Sequence, residues 1–471
     1  MSHTPPTKTA QADRVPFWEK FFYGAGSGSF QLSTDGVKGL ANPIYNITLG
    51  LSPSLVGLVL MIARIFDAFT DPLVGKWSDD TRSRWGRRSP FIFTGAFLTA
   101  GAFILIWLVP ESWKGQTTPL FVYYLVAMLI FYFCATIQTV PYHTLGLEMT
   151  PDYNERTQVA AFKMMFSFAF TLLLPWIFRF AQSESFGGST MAGMRYWSFI
   201  LAGIIIAGGV LPALFVKERY YHLAKDQAKI PFWRGVLLTL QNRAFLLLTA
   251  IILCIGLGFG MVAALGPYII YYHIYEGDTK TGQELVAIGA NVYALTALFT
   301  TPVIAAWSAK IGKVRMLYFL IGLGIAGSLL TFPFYSKSMP YLAVLVSLLV
   351  APQAAGFWTI TTSMKADICD DDELRHGMRR EGMFGAVGNW IFKITVSSTF
   401  LISGLILELS GFDAALKGAQ SPGTLLSMRV CFAAVPVLFS ILAIILLVRY
   451  PLTGERMAEI RAALESRRAK I

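Results

Sequence analysis

The sequence predicts an all-α integral membrane protein, with twelve transmembrane helices in two pseudo-symmetric six-helix bundles. Three observations support this fold class. Of the 471 residues, 55% are hydrophobic and 14% charged, against roughly 25% charged in soluble domains, and the mean hydropathy is +0.55. Apolar segments near the roughly 20 residues that cross a bilayer as a helix recur along the whole chain. A charged motif of the first half also recurs in the second.

The apolar segments predict the twelve helices in order. We place them at residues 20–49, 52–77, 90–110, 119–147, 158–183, 196–216, 243–275, 283–308, 314–336, 340–366, 383–410 and 428–449. Pro43, Pro141, Pro175 and Pro302 fall inside these segments. Prolines are tolerated there because neighbouring helices can satisfy the freed backbone groups.

The net charge of +11 is unevenly distributed. Lysine and arginine gather in the even-numbered connections, such as 76–88 and 217–234, and are sparse in the odd-numbered ones. Cytoplasmic loops of membrane proteins carry this excess, so we expect a multi-pass protein of the plasma membrane with both termini in the cytoplasm. The same distribution argues against nucleic acid as a partner; the lipid bilayer is the expected surroundings.

A polar stretch at 217–236 divides the chain into two similar halves. We expect a cytoplasmic N-terminus (1–18), bundles at 19–216 and 237–449 joined by this cytoplasmic linker, and a cytoplasmic tail (450–471). The charged motif repeats between the halves: the spacing of Glu148, Asp152 and Arg156 recurs in Asp367, Asp371 and Arg375. Internal symmetry of this kind predicts a secondary transporter whose substrate path lies between the halves near the midplane.

Predicted helix 2 carries two acids in an apolar stretch, RIFDAFTDP. Asp67 and Asp71 are four residues apart and share one helix face, with Thr70 beside them and Arg64 one turn earlier. Their oxygens suit a hard cation such as sodium. Two close carboxylates also discourage each other's ionisation, which suits a proton carrier. The alternative is an ion pair with Arg64 or Lys393 that only holds helices together, although acids within the membrane favour a functional interpretation.

Predicted helices 5 and 11 each contain a lysine, Lys163 and Lys393. Each could neutralise an anionic substrate or pair with an acid when no cation is bound. Lys163 could instead extend its amine to the membrane surface. Asn389, one turn before Lys393, is a further substrate-binding candidate.

Predicted helices 1 and 4 add polar candidates for substrate binding. Asp35 and Lys38 are three residues apart and could simply satisfy each other. Thr139, Tyr142 and His143 surround a proline in QTVPYHTL, which is typical of either a binding wall or a structural kink.

Trp358 in predicted helix 10 could stack on a sugar ring or serve only in packing. The loop WSDDTRSRWGRR after predicted helix 2 could belong to a charge network that latches the two halves in one state, or could only set topology. The members of this predicted gating network are Arg64, Asp79, Arg87, Arg88, Glu148, Arg156, Asp367 and Arg375.

Three motifs together resemble a known family. DAFTDPLVGKWSDDTRSRWGRRSPF, VPYHTLGLEMTPDYNERT and ADICDDDELRHGMRREGMF are similar to the glycoside-pentoside-hexuronide:cation symporters of the major facilitator superfamily, the family of melibiose permease. The resemblance spans nearly the whole chain. It implies the major facilitator fold and symport of a sugar or glycoside by alternating access. It also implies co-transported sodium or proton without another cofactor, a bacterial inner membrane and a monomer.

The resemblance also implies residue roles. The family's helix 2 cation-site acids fall on Asp67 and Asp71, the metal ligands if the ion is sodium. Its helix 2 asparagine falls on Thr70. Its other site residues fall on Arg64, Lys163 (an arginine in the family), Trp358 and Lys393.

The chain departs from the family at its sugar-binding acids. Thr139 replaces the helix 4 acid, His143 replaces a tryptophan, and the helix 1 acid aligns near Ser29, with Asp35 as a possible substitute. Fewer acids and two retained lysines favour an acidic sugar, such as a hexuronide or a sulfonated sugar, over a neutral galactoside. The related lysophospholipid symporters are the alternative.

Two other functional classes agree less well with the sequence. A membrane enzyme would need a base such as His143, but the sequence has five histidines and no H-E-x-x-H or similar motif. We therefore expect no enzymatic activity. A sensor or scaffold that moves no ligand is the remaining alternative.

Overall fold

The computed structural model describes residues 14–150, 153–186, 189–218, 237–376 and 381–468. Those residues form helices and loops without a β-strand. The helices of the first half are α1 Phe17–Ala41, α2 Pro53–Asp80, α3 Ser89–Trp107, α4 Thr117–Glu148, α5 Tyr153–Ala181 and α6 Thr190–Phe215. A π-helix, Asn42–Thr48, continues α1.

The second half contributes six further long helices and a C-terminal one. They are α7 Arg243–Gly260, α8 Thr279–Ile311, α9 Lys313–Phe334, α10 Leu342–His376, α11 Glu381–Leu409, α12 Pro422–Val448 and α13 Gly454–Arg468. Two short helical segments, Leu265–Tyr268 and Ile269–Ile274, extend α7. In the described part of the chain, 11 helices are long and apolar enough to cross a membrane. The polar α1, 25 residues long, is the twelfth helix of the predicted set.

The chain forms two compact units. The first contains residues 1–51 and 62–228, and the second contains 52–61 and 229–471. In the first unit α1 packs against α5 and α6, and α3 packs against α4 and α6. Small residues allow these backbones to approach: a Cβ added to Gly208 of α6 would lie 2.6 Å from Cβ of Ser29 in α1.

The second unit has its apolar core among α7, α9, α10 and α12, around fully buried residues such as Leu320 and Phe357. The C-terminal helix α13 joins this core. Its Met457, Ile460 and Leu464 are buried, so one apolar face of α13 packs on the end of α10. The predicted tail is therefore a docked helix up to Arg468.

Local sequence explains several helix boundaries. The side chains of Asn242, Asp278 and Ser421 accept hydrogen bonds from backbone amides at the start of α7, α8 and α12, which satisfies donors that a helix leaves unpaired. Pro141 does not interrupt α4. Gly86 has φ +95° and lies against the Glu218 carboxylate, which would be 2.8 Å from an added Cβ. Most of the predicted linker, residues 219–236, lies outside the described residues.

Candidate functional site

Asp67 and Asp71 of α2 meet a threonine of α4. The Thr136 hydroxyl lies 2.8 Å from Oδ1 of Asp67 and 3.5 Å from Oδ1 of Asp71. Thr136 is completely buried, and Asp67 is 6% exposed. Thr70 lies 3.4 Å from Thr136, hydroxyl to hydroxyl, and donates to the Asp67 carbonyl of its own helix. Two carboxylates and two hydroxyls thus come from two helices.

The Thr136 hydroxyl has a second acceptor, the Tyr132 carbonyl 2.9 Å away. A hydroxyl has one hydrogen and two lone pairs. When the hydrogen goes to Tyr132, a hydroxyl lone pair and the Asp67 carboxylate face one another. Such a group of oxygens is stable when a cation or a proton lies among them.

Arg64 pairs with the same acid. One of its terminal nitrogens lies 3.0 Å from Oδ2 of Asp67, and its guanidinium carbon is 5.3 Å from the centre of the Tyr132 ring. An ion pair of the acids with Arg64 or Lys393 was the structural alternative for this site, and the pair between Asp67 and Arg64 exists. It occupies one carboxylate oxygen and leaves the other directed at Thr136, so the pair and the hydroxyl site coexist.

Asp35 and Lys38 of α1 bind each other, with Nζ of Lys38 2.8 Å from Oδ1 of Asp35. Gln31 also donates to Asp35. The Asp35 side chain remains 41% exposed, so it is accessible to a ligand as well as paired. Ser29, the aligned position of the family's acid, is instead buried and donates to the Ile205 carbonyl at 3.0 Å.

Lys163 of α5 and His143 of α4 form a contact between cationic and imidazole side chains. Nζ of Lys163 lies 3.1 Å from Nδ1 of His143. An ammonium only donates, so Nδ1 is the acceptor and the imidazole is neutral. Phe30 packs edge-on against His143 at 5.2 Å. Within the described residues no carboxylate pairs with Lys163, whose positive charge stays uncompensated beside a half-buried imidazole.

Two other candidates, Tyr142 and Thr139, lie on α4. Tyr142 is buried, donates to the Tyr23 carbonyl at 2.6 Å and stacks on the Tyr23 ring at 4.7 Å. Thr139 lies beside a small void that also touches Gly26 and Gln138. These contacts favour the structural interpretation for Tyr142.

The second unit holds the remaining substrate candidates. Trp358 of α10 is 42% exposed and forms one wall of a cavity within this unit. Lys393 of α11 is half-buried, and Asn389 is exposed one turn earlier.

Several of the predicted gating residues form contacts within their own unit. Arg88 is buried and bonds the Ser78 hydroxyl at 3.0 Å, and the backbone amides of Arg87 and Arg88 donate to Glu218. In the second unit Asp367 lies 2.5 Å from Nζ of Lys313, and Asp371 lies 2.9 Å from Nε of Arg375. The side chains of Asp79, Glu148 and Arg156 lie outside the described part of the structure, as does Asp152.

Several of these groups are not predicted by the sequence. Thr136 is one helical turn before Thr139, and a hydroxyl in an apolar membrane helix was its only signal. Lys20 and Glu155 form a buried pair 2.7 Å apart, each side chain 8% exposed. Nothing in the spacing of Lys20, Glu155 or Glu218 predicted their partners, because each partner lies on another helix or loop.

The arrangement in the first unit can bind a cation without being a classical metal centre. In the described ranges no group of three or more histidine, cysteine or acidic side chains could hold a metal ion. Two carboxylates with neutral hydroxyls suit a weakly bound monovalent ion or a proton.

In each comparison with known proteins, this chain is similar to transport proteins. The family model described as MFS/sugar transport protein matches residues 22–454. A glucuronide carrier protein homolog of Escherichia coli K12 is 27% identical, with 90% of each chain covered. A sodium-dependent lysophosphatidylcholine symporter 1 of Gallus gallus is 24% identical, covering 98% of this chain and 92% of that one. The structure of the xylose transporter XylE from E. coli has a TM-score of 0.59 at 15% identity, covering 90% of this chain and 97% of that one.

Proposed function

Because this chain belongs to the MFS/sugar transport protein family, we propose that it is a symporter that couples an acidic sugar or glycoside to sodium or protons. Transport, rather than chemical conversion of the substrate, is the activity of this family. The proposal assigns the cation to α2 and α4 and the anionic group of the substrate to α4 and α5. It also includes a bacterial inner-membrane location with both termini in the cytoplasm, based on the charge of the loops, and a monomeric carrier.

The observation that carries the proposal is the group formed by Asp67, Asp71 and Thr136. Buried carboxylates are costly in a membrane unless they are paired or bind an ion. Here Arg64 pairs with Oδ2 of Asp67, while Oδ1 faces the Thr136 hydroxyl. A cation or proton entering among these oxygens would offset the charge that Arg64 now compensates.

The coupling mechanism follows from this competition. A bound cation weakens the attraction between Asp67 and Arg64, and the released positive charge of the guanidinium makes the first unit more favourable for an anionic substrate. Substrate binding then favours cation binding by the same factor, because coupling between two sites is reciprocal. The loaded carrier changes between outward-open and inward-open states.

An acidic substrate is supported by Lys163. Its ammonium contacts a neutral imidazole, and no carboxylate of the described residues pairs with it. A substrate carboxylate or sulfonate would supply an anionic partner. The glucuronide carrier homolog among the relatives agrees with such a substrate.

The test replaces Lys163 by glutamine and, as the matched control, by arginine. Uptake of a phenyl glucuronide and of the uncharged phenyl glucoside is measured with purified protein in liposomes. A hydrogen bond to a charged group is worth about 1.5–3 kcal/mol, so Lys163→Gln is expected to raise the KM for the glucuronide roughly 10- to 100-fold. The KM for the glucoside should change little, and Lys163→Arg should retain most glucuronide uptake. Equal effects on both substrates would contradict the assignment.

A second candidate function is cation-coupled symport of a lysophospholipid. The lysophosphatidylcholine symporter among the relatives covers nearly all of this chain, and the cavity of the second unit has mainly apolar walls. Sodium-dependent uptake of lysophosphatidylcholine, without uptake of any sugar, would favour this candidate.

A further inference from the structure

The second unit contains a cavity of about 470 Å³. Its walls come from α7 to α12, and all of its lining residues belong to this unit. Small-molecule sites are commonly clefts of about 300–1,000 Å³ with mainly apolar walls and a few polar groups. The cavity is therefore large enough to hold a substantial part of a small ligand.

The chemistry of the cavity differs from that of the first unit. No charged residue is among those that line it, and 7 of the 20 lining residues are aromatic. Its polar groups are a few hydroxyls, such as those of Tyr293, Ser347 and Thr331, and the amide of Gln353. A sugar ring would leave most of its hydroxyls without partners here, whereas an apolar ring would not.

The aromatic walls are fixed by their own packing. Trp358 packs edge-on against Phe392, with ring centres 5.1 Å apart, and Phe357 behind it is completely buried. On another wall the rings of Tyr335 and Phe432 lie 5.5 Å apart. Trp358 is nevertheless 42% exposed, so part of its indole is accessible. Flat aromatic surfaces bind flat rings by stacked or edge-to-face contacts.

We propose that this cavity binds the uncharged aromatic aglycone of a glycoside, so that the preferred substrate is an aryl glycoside rather than a free sugar. This inference rests on the proposed function, because it presupposes a sugar substrate. It adds a specificity determinant: the aromatic walls around Trp358 select the aglycone, independently of the groups that bind the cation.

The test fills the cavity from one wall. Ala354 of α10 lines the cavity, and the next residue, Ala355, does not. Ala354→Leu adds three carbons to the wall, and Ala355→Leu is a control of identical chemistry on the same helix. Uptake of 4-nitrophenyl β-D-glucuronide and methyl β-D-glucuronide is measured with purified protein in liposomes, and Trp358→Leu is a second variant.

The wild type is expected to have at least a tenfold lower KM for the nitrophenyl glucuronide than for the methyl glucuronide. Ala354→Leu and Trp358→Leu should reduce this ratio to near one, while Ala355→Leu should retain it. A wild type that does not distinguish the two glucuronides would overturn the inference, as would an unchanged ratio in both cavity variants. If lysophosphatidylcholine inhibits glucuronide uptake and Ala354→Leu removes this inhibition, the cavity binds an acyl chain instead, and the inference is overturned.

A different outcome is expected if the proposed function itself is wrong. If neither glucuronide is transported, symport of acidic sugars is contradicted, and the cavity is tested by binding alone. The probe is then 4-nitrophenyl β-D-glucoside, and the readout is the rise in Tm of the purified protein, since a ligand of the folded state stabilises it. A rise that Ala354→Leu abolishes and Ala355→Leu retains supports the cavity; no rise in the wild type overturns it.

Discussion

The Thr136 hydroxyl gives the sharpest test of the cation site, because it can be replaced by a methyl group with little change of shape. We consider Thr136→Val, with Thr136→Ser as the control that keeps the hydroxyl. Thr136 is completely buried, and its hydroxyl is 2.8 Å from Oδ1 of Asp67. A hydrogen bond to a charged group contributes about 1.5–3 kcal/mol, and about 1.4 kcal/mol is a tenfold change in an equilibrium constant.

When sodium is bound, the Thr136 hydrogen goes to the Tyr132 carbonyl and the hydroxyl oxygen is a ligand of the ion, so Thr136→Val should weaken sodium binding roughly 10- to 100-fold. If protons are the coupling ion, loss of the hydrogen bond to the Asp67 carboxylate should instead strengthen proton binding by a similar factor. The assay is the concentration of sodium, or of protons, that gives half-maximal uptake into liposomes. The serine variant should stay within a few-fold of the wild type. The Tm of each variant shows whether it is folded. A folded valine variant with the wild-type cation dependence would refute the role of this hydroxyl, and an equal defect in the serine variant would point to packing instead.

Three further predictions concern stability and are measured as changes in Tm. Gly208→Leu should destabilise the first unit, because its Cβ alone would lie 2.6 Å from Cβ of Ser29. Gly203→Leu should be tolerated, because nothing lies within 4 Å of an added Cβ there. Equal losses of Tm would contradict the close packing of α1 on α6. Glu155→Gln removes the charge that pairs with buried Lys20 and should lower the free energy of unfolding by about 3 kcal/mol. An unchanged Tm would show that the pair contributes nothing. Asp278→Ala removes the N-terminal cap of α8 and should lower the free energy of unfolding by about 1 kcal/mol. The hydrogen bond from Thr281 lowers the pKa of Asp278, so its charged form stabilises the folded state above the ordinary carboxyl pKa of about 4 and loses this effect as the pH falls through the lowered pKa. The Tm difference between Asp278→Ala and the wild type should therefore shrink in acid, and a difference independent of pH would contradict this.

Hydropathy predicted the membrane helices well because the cost of placing polar groups in lipid acts on each segment alone. It located their ends less well. The tenth helix, predicted to end at residue 366, continues to His376, because a helix keeps its backbone hydrogen bonds after the apolar stretch ends. The first helix, predicted as 20–49, is an α-helix to Ala41 followed by a π-helix to Thr48, a local change near Pro43 that apolar spacing does not record.

The candidate site was predictable only where its residues share one helix. The spacing of Asp67 and Asp71 and the nearby Arg64 needed no tertiary information. Thr136 belongs to the site because α4 packs beside α2, which a single sequence does not reveal. Tyr142 shows the same limit: the sequence left its role open between a binding wall and a structural kink, and the contacts that bury it, to the Tyr23 carbonyl and ring, come from the neighbouring α1.

The most direct test of the central claim is uphill uptake of 4-nitrophenyl β-D-glucuronide by liposomes that contain the purified protein. Inward sodium and proton gradients are imposed one at a time, with the wild type and Asp67→Asn. We expect accumulation above the external concentration under at least one gradient, its loss when that gradient is dissipated, and no accumulation by Asp67→Asn under either. Accumulation that persists without any gradient, or that Asp67→Asn retains in full, would contradict cation-coupled symport through this site.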